Sequence, residues 1–336
     1  MRFKNITEVT PEDIVAIPLY DNKGRILINQ NVQLTQYLIS RVKSENIYGI
    51  YVYDALSEGI TPHFNLELSV QTEAASAAND LNIDKCMYLA SSMAKKLENT
   101  DCIYTNMNIL MKYDAGTYMH SSNVATYAGI VGLMLGYSYE KVKNLIAASL
   151  LHDIGKTQIP KEIIYKPDKL TKKEYEIVKT HAELGYSMLK DFESIPSVVR
   201  VSVLQHHENY NGTGYPNHFV DNDIYEFAKI IHICDVYDAM ISKRCYKKMF
   251  NPADVIEYMM ANSGMMFNPG LLQTFLKSLV PYPEGITVKL SDGNIGIVSK
   301  INKNYLMRPV IRMLNGQEVD LTQKLNITIK KIITKI

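Results

Sequence analysis

Hydrophobic and polar positions change rhythm twice along this chain. Up to Ser69, short apolar runs alternate with turn residues. The stretch "IVAIPLYDNKGRILI" predicts two strands around Asp-Asn-Lys-Gly, because Asn and Gly accept the positive φ that a tight hairpin needs. "TQYLISRVKSENIYGIYVY" predicts a helix running into a strand, so residues 1–69 read as a small α+β module. Over residues 70–281 the pattern becomes helical. "KCMYLASSMAKKL", within a leading helix expected over 74–100, and "YEIVKTHAELGYSMLKDF" carry apolar residues three and four apart, the stripe of an amphipathic helix. "NVATYAGIVGLMLGY" and "VKNLIAASLLHDIG" are apolar nearly all round, as helices in the middle of a bundle are. The length of "AKIIHICDVYDAMI" favours another buried helix over a strand. After "VPYPEG", residues 282–336 alternate apolar and polar positions with breaks at Asp-Gly, Asn-Lys-Asn and Asn-Gly. That pattern predicts short strands joined by hairpins. The expected architecture is a multidomain chain: a central all-α bundle between an N-terminal α+β module and a C-terminal β module. No internal repeat is visible.

At 336 residues the chain is long enough for two or three domains, and 46% hydrophobic residues suffice for a sizeable core. A formal net charge of +1 argues against a nucleic-acid polymer as partner. Cys86, Cys102, Cys234 and Cys245 form no C-x-x-C pair and read as reduced thiols. The N-terminal residues lack the apolar core of a signal peptide, and the longest apolar run falls short of the ~20 residues a membrane span needs. The expectation is a soluble cytoplasmic protein with no membrane insertion.

The chemistry concentrates in the helical region. His120 sits in "TYMHSSNVA", His152 and Asp153 are adjacent in "SLLHDIGKTQIP", and His181 opens a helical stretch. His206 and His207 stand side by side where an apolar run meets the Asn- and Gly-rich loop "ENYNGTGYP", and Asp235 lies inside an apolar run. A lone histidine on a buried face is more often a hydrogen-bonded core residue, whereas an unpaired buried carboxylate is costly. Five imidazoles and two carboxylates beside apolar helices need a shared partner, and a metal cation supplies one. Adjacent residues on a helix point about 100° apart, so His206 and His207 converge on one site only at a helix end. The pair His152–Asp153 poses the same problem. A carboxylate has two oxygens where an imidazole has one free lone pair, which favours a two-metal site bridged by Asp153.

"HDIGK" at 152–156, the "HH" pair and "GYP" at 214–216 together resemble the HD-GYP family of HD-superfamily phosphohydrolases, which degrade the bacterial messenger cyclic di-GMP. The resemblance extends over about residues 109–278 and includes "KPDKLTKKE" and "DVYDAMISKRCYKK". It implies that His120, His152, Asp153 and Asp235 hold one metal and that His181, His206 and His207 hold the other, with Asp153 between them. It points to iron first and manganese second. Some members hold a third metal through a glutamate one turn before the first histidine. Gly116 stands there in this chain, so two metals are expected. Two positions depart from the commonest form, Asn209 for Arg and Asn211 for Asp, and neither is a ligand.

The implied reaction is attack of a metal-held hydroxide on a phosphodiester of cyclic di-GMP, giving pGpG, GMP or both. Lys156 is expected near the nucleophile or a phosphate oxygen, and Arg244, Lys247 and Tyr215 on the substrate. Asp238 and His232 are expected to support the site without ligating, and His63 and His218 to lie on the surface. In the family the GYP loop is also linked to diguanylate cyclase domains. The N-terminal module reads as regulatory or dimerising. Base identity is not readable from these residues. Hydrolysis of cyclic GMP-AMP or another nucleotide, and messenger binding without turnover, are the alternative readings.

Overall fold

The computed structural model describes residues 1–21, 25–45, 47–104, 119–166, 168–242 and 250–333. Its centre is a bundle of helices. α1 (Gln36–Ser44) belongs to the N-terminal region; α2 (Leu68–Asn79) and α3 (Ile83–Leu97) lead into α4 (His120–Met134) and α5 (Tyr139–Leu151). The short α6 (Lys161–Ile164) and α7 (Lys172–Lys179) precede α8 (His181–Lys190) and α9 (Ser197–Gln205). α10 (Glu226–Ile241), α11 (Pro252–Ala261) and α12 (Pro269–Ser278) complete the bundle.

α4 and α5 are the inner helices that the sequence predicts. Residues 120–132 of α4 are buried on every side, and Gly129 and Gly132 leave room for Ile146 and Leu145 of α5. α3 shows the one-sided pattern instead: Ile83, Cys86, Leu89, Ala90, Met93, Ala94 and Leu97 are buried while Tyr88 faces solvent. α10 lies against α4, with Tyr237 edge-on to Phe275 of α12 at 5.2 Å between ring centroids. Both rings are fully buried, and each such side chain stabilises the fold by about 1.5–3 kcal/mol.

Two helices differ from expectation. The leading helix over 74–100 is broken at Asp80–Asn82, where Leu81 takes a φ of 55° and the Asn82 side chain accepts from the Lys85 N–H to start α3. Asn is as good a start as it is a poor interior residue. "YEIVKTHAELGYSMLKDF" likewise divides at Thr180 into α7 and α8.

The flanking regions are β-rich. β1 (Arg2–Asn5) and β2 (Ile14–Val15) flank β5 (Gly49–Tyr53) in an antiparallel sheet, and β3 (Leu19–Tyr20) pairs with β4 (Ile26–Ile28). The run predicted as one hairpin is therefore divided between two sheets. The C-terminal strands are β8 (Thr287–Leu290), β9 (Ile295–Lys300), β10 (Val310–Met313), β11 (Glu318–Asp320) and β12 (Ile329–Ile332). They form one antiparallel sheet in the order β11-β10-β9-β8-β12. Gly293 and Gly316 occupy the predicted Asp-Gly and Asn-Gly turns with φ of 93° and 86°.

One pairing has no counterpart in the sequence reading: β6 (Ile103–Tyr104) runs parallel to β7 (Leu279–Val280). Asn65 clamps β6 from the other side, its amide donating to the Cys102 carbonyl at 2.6 Å and accepting from the Tyr104 N–H at 2.8 Å. The Phe3 N–H also reaches the Gly285 carbonyl at 2.9 Å. One apolar core accordingly runs from Phe3 to Ile329, and a second, including Val15, Leu34, Ile39, Val42 and Ile50, is confined to the N-terminal region.

Gly155 sets how closely the turn after α5 approaches α8, since a Cβ there would lie 2.0 Å from the His181 carbonyl oxygen. We expect Gly155→Ala to destabilise the protein by at least about 1–3 kcal/mol, the usual range for overpacking. Gly270→Ala, inside α12 with only ordinary contacts nearby, should be neutral or stabilise by up to about 1 kcal/mol. Urea denaturation of the two variants checks the opposite signs.

Candidate metal centre

The predicted imidazoles sit at helix ends, and the same hydrogen bond recurs at three of them. His152 caps α5 and its Nδ1 is 2.7 Å from the Ser149 carbonyl; His206 caps α9 with Nδ1 2.7 Å from the Val203 carbonyl. His181, following the last turn of α7, has Nδ1 2.6 Å from the Val178 carbonyl. The last carbonyls of a helix lack an intrahelical donor, so each ring supplies one. A carbonyl can only accept, which fixes the proton on Nδ1 and leaves Nε2 as a bare lone pair. Local helix geometry thus turns three rings into inward-facing donors.

Those lone pairs converge on Asp153. Its Oδ2 lies 3.4 Å from His152 Nε2, while Oδ1 lies 3.4 Å from His181 Nε2 and 3.8 Å from His206 Nε2. His120, the first residue of α4, has Nε2 2.9 Å from Asp235 Oδ1, and its other ring nitrogen is 2.7 Å from Asp238 Oδ2. Asp238 is itself held by the Asn123 amide at 2.8 Å, so it supports His120 from behind. Two groups of potential ligands result: His120, His152 and Asp235, and Asp153, His181, His206 and His207. Within each, the ligand atoms lie within 4.8 Å of one another. All seven sequence-predicted ligands are brought together.

The electrostatics fit a cation. Burial pushes His181 down to about 4, and burial together with neighbouring imidazoles holds His206 and His207 well below the usual histidine range. All three are neutral. Burial works against ionisation of Asp153, but the neighbouring Lys156 ammonium outweighs it and holds the carboxyl well below the usual range. Asp235 is likewise held low against burial by His120. Burial also opposes charge on His120, yet its bonds to Asp235 and Asp238 raise it to about 9. His152 Nε2 and Asp153 Oδ1 are buried with no hydrogen-bond partner, and His181 Nε2 faces His206 Nε2 at 3.2 Å. With both Nδ1 protons committed to carbonyls, the facing nitrogens repel unless a proton or a metal ion stands between them. The donor set of imidazole and carboxylate without thiolate suits a divalent metal, and the residues present fit that group.

Lys156, in the 3₁₀ helix Ile154–Gln158, places its ammonium 2.5 Å from Asp153 Oδ2. Tyr215 lies flat against His207, ring centroids 4.7 Å apart and planes inclined by 25°. Gly214 permits that approach, because a Cβ would lie 2.2 Å from the Asn209 nitrogen and 2.4 Å from the His207 carbonyl oxygen. Asn209 ties the loop to α10 through His232 Nε2 at 3.1 Å. His218 is exposed, whereas the exposed His63 lies 3.2 Å from Glu284. Arg244, Lys247 and Gly116 lie outside the described residues.

Sequence reasoning missed Glu208. It is buried, and its carboxylate accepts from the Asn217 and Phe219 N–H groups at 2.6 and 3.2 Å, pinning the loop that carries Tyr215. A carboxylate directly after the histidine pair and just before a run of turn residues was the available signal.

A sequence model of the HD domain matches residues 104–271. A cyclic di-GMP phosphodiesterase of Pseudomonas aeruginosa is 36% identical over 200 residues, 60% of this chain and 48% of that one. The cyclic di-GMP phosphodiesterase response regulator RpfG of Xanthomonas campestris is 35% identical over 165 residues, 49% and 44% of the two chains. A 3'3'-cGAMP-specific phosphodiesterase of Vibrio cholerae is 32% identical over 178 residues, 53% and 34%. The chain thus spans less than half the length of each of these three relatives. Among solved structures, an HDG"Y"P protein of Bdellovibrio bacteriovorus aligns over 81% of this chain and 97% of its own with a TM-score of 0.52 at 15% identity, a likeness of fold. No helix among the described residues is long and apolar enough to cross a membrane. The chain belongs to the HD domain family, and its motifs are those of the HD-GYP proteins within it.

Proposed function

We propose that this chain is a metal-dependent phosphodiesterase that hydrolyses cyclic di-GMP to pGpG, GMP or both. The observation that carries this reading is the Asp153 carboxylate, whose two oxygens face two separate groups of nitrogen ligands. His120, His152, Asp153 and Asp235 would hold one divalent ion and His181, His206 and His207 the other, with Asp153 shared. Iron is our first assignment and manganese our second, since neither needs the thiolate that this site lacks. A bound pair of such ions makes water acidic enough to act as a nucleophile at neutral pH and neutralises charge on a phosphodiester.

The chain's own residues do the rest. Asp238 holds the far side of His120, and the carbonyls of Ser149, Val178 and Val203 hold those of His152, His181 and His206. Lys156 shares Asp153 Oδ2 and is placed to offer its ammonium to a phosphate oxygen. We assign Tyr215, Arg244 and Lys247 to substrate contact. The names of the relatives support the substrate class, and two of the three name cyclic di-GMP.

Asp153→Ala should remove the shared oxygens, so metal content measured by elemental analysis falls from two ions towards none and hydrolysis falls to background. Retention of both ions would sink the bridging role. Metal uptake should also release protons, because His120 is charged up to about 9 in the metal-free chain and must free Nε2 to ligate. Affinity should therefore rise as pH increases towards that value, with proton release read from calorimetry in buffers of different ionisation enthalpy.

The substrate is tested by loading the chain anaerobically with iron or manganese, offering cyclic di-GMP and cyclic GMP-AMP separately, and resolving products by chromatography. We expect faster turnover of cyclic di-GMP. Preference for the mixed dinucleotide would favour the reading suggested by the Vibrio relative. Tight binding of either without products would favour a messenger-binding protein.

A further inference from the structure

His207 differs from the other imidazoles of the centre. The Nδ1 atoms of His120, His152, His181 and His206 are each anchored, to Asp238 or to a backbone carbonyl. Among the described residues no hydrogen bond reaches the His207 ring. The final side-chain torsion of histidine is soft, and a ligating nitrogen offers its lone pair only in the ring plane. Something else must set that plane.

Packing does so. His181 stands edge-on to His207 at 4.9 Å and 82°, and Tyr215 lies nearly parallel to it at 4.7 Å and 25°. The Tyr215 N–H donates to the His207 carbonyl at 3.1 Å, and Glu208 pins the residues that follow, so the tyrosine cannot drift from the ring it covers. Lys179, in the last turn of α7, holds its ammonium 5.5 Å from the Tyr215 ring centroid and 5.0 Å from that of Tyr175. Glu176 fixes the ammonium from one side at 2.8 Å. A cation over the face of a tyrosine is attracted to its ring electrons, which steadies Tyr215 where it meets His207.

We propose that Tyr215 and Lys179 are positioning residues: the Tyr215 ring, braced by the Lys179 ammonium, sets the plane of His207 and so aims its free nitrogen at the second cation. The inference rests on the two-cation reading and adds to it a role for the ring of Tyr215, separate from any contact its hydroxyl makes with substrate. It also gives Lys179 a function that no motif assigns.

The test is metal binding rather than turnover. The full chain, stripped by chelator, is titrated with Mn(II) alone in a calorimeter, and electron paramagnetic resonance distinguishes a coupled pair of ions from single ones. Wild type should take two ions. Tyr215→Leu should keep one site near its original affinity and weaken the other by about 10- to 100-fold, the usual cost of losing a ligand's support, with loss of the coupled signal. Tyr215→Phe keeps the ring and should keep both sites. Lys179→Met keeps the stem but not the charge, and should weaken the second site by about two- to fivefold, the scale of one exposed cation–ring contact. The intact first site in Tyr215→Leu shows that this variant has folded. The proposal fails if Tyr215→Leu binds both ions as wild type does, if it loses both equally, or if Tyr215→Phe loses as much as Tyr215→Leu. Uptake of fewer than two ions by wild type overturns the two-cation centre itself, and the proposal with it.

Discussion

A buried carboxylate that must stay ionised is the constraint around which the bundle is arranged. Taking Asp153 out of water is costly unless positive charge and directed donors replace its hydration. Lys156 supplies the charge from three residues away. The Nε2 atoms of His152, His181 and His206 converge on Asp153 from three different helices without a proton to give, and on the proposed reading a cation would complete the carboxylate's surroundings. That convergence needs α8 close to the turn after α5, which needs glycine at 155. It also needs α9 to stop at Gln205 so that its next two residues turn inward. The packing of α4, α5 and α10 around Val124, Ile146 and Ile230 holds these ends at fixed separations. Protein interiors are too dense to let such distances wander.

Helix ends suit this task for an electrostatic reason. The closing turn of a helix presents carbonyls that have no donor, and a histidine placed there meets that need with one nitrogen while the other points away. Capping and ligand orientation are one hydrogen bond seen from two sides. A histidine inside a helix has no free carbonyl beside it, and His120, which opens α4, instead takes its support from Asp238 on α10.

Much of this was legible because it is local. The His-Asp and His-His pairs, the Asp-Gly and Asn-Gly hairpins and the all-round apolar texture of α4 and α5 are short-range patterns. The wider motif order resembled a known family over the helical region. Long-range structure left little trace. β6 and β7 are two residues each, too short for any periodicity, and they pair across 176 positions of chain (103 to 279). The break at Leu81 hides inside an unbroken helical pattern. Glu208 is a single charge whose partners are backbone groups nine and eleven residues on. The stacking of Tyr215 on His207 depends on how the Asn- and Gly-rich loop returns over its own origin, which spacing alone does not reveal.

The facing nitrogens of His181 and His206 carry a thermodynamic corollary. Two buried nitrogens held 3.2 Å apart, each with its lone pair turned to the other, repel, and on the proposed two-ion reading an ion between them would bind the folded chain far better than the unfolded one. By mass action such an ion adds RT ln(1 + [ion]/Kd) to the free energy of unfolding. On that reading the melting temperature of this chain would depend on the free-ion level around it as much as on its amino acids, and scarcity of metal would be felt as fragility.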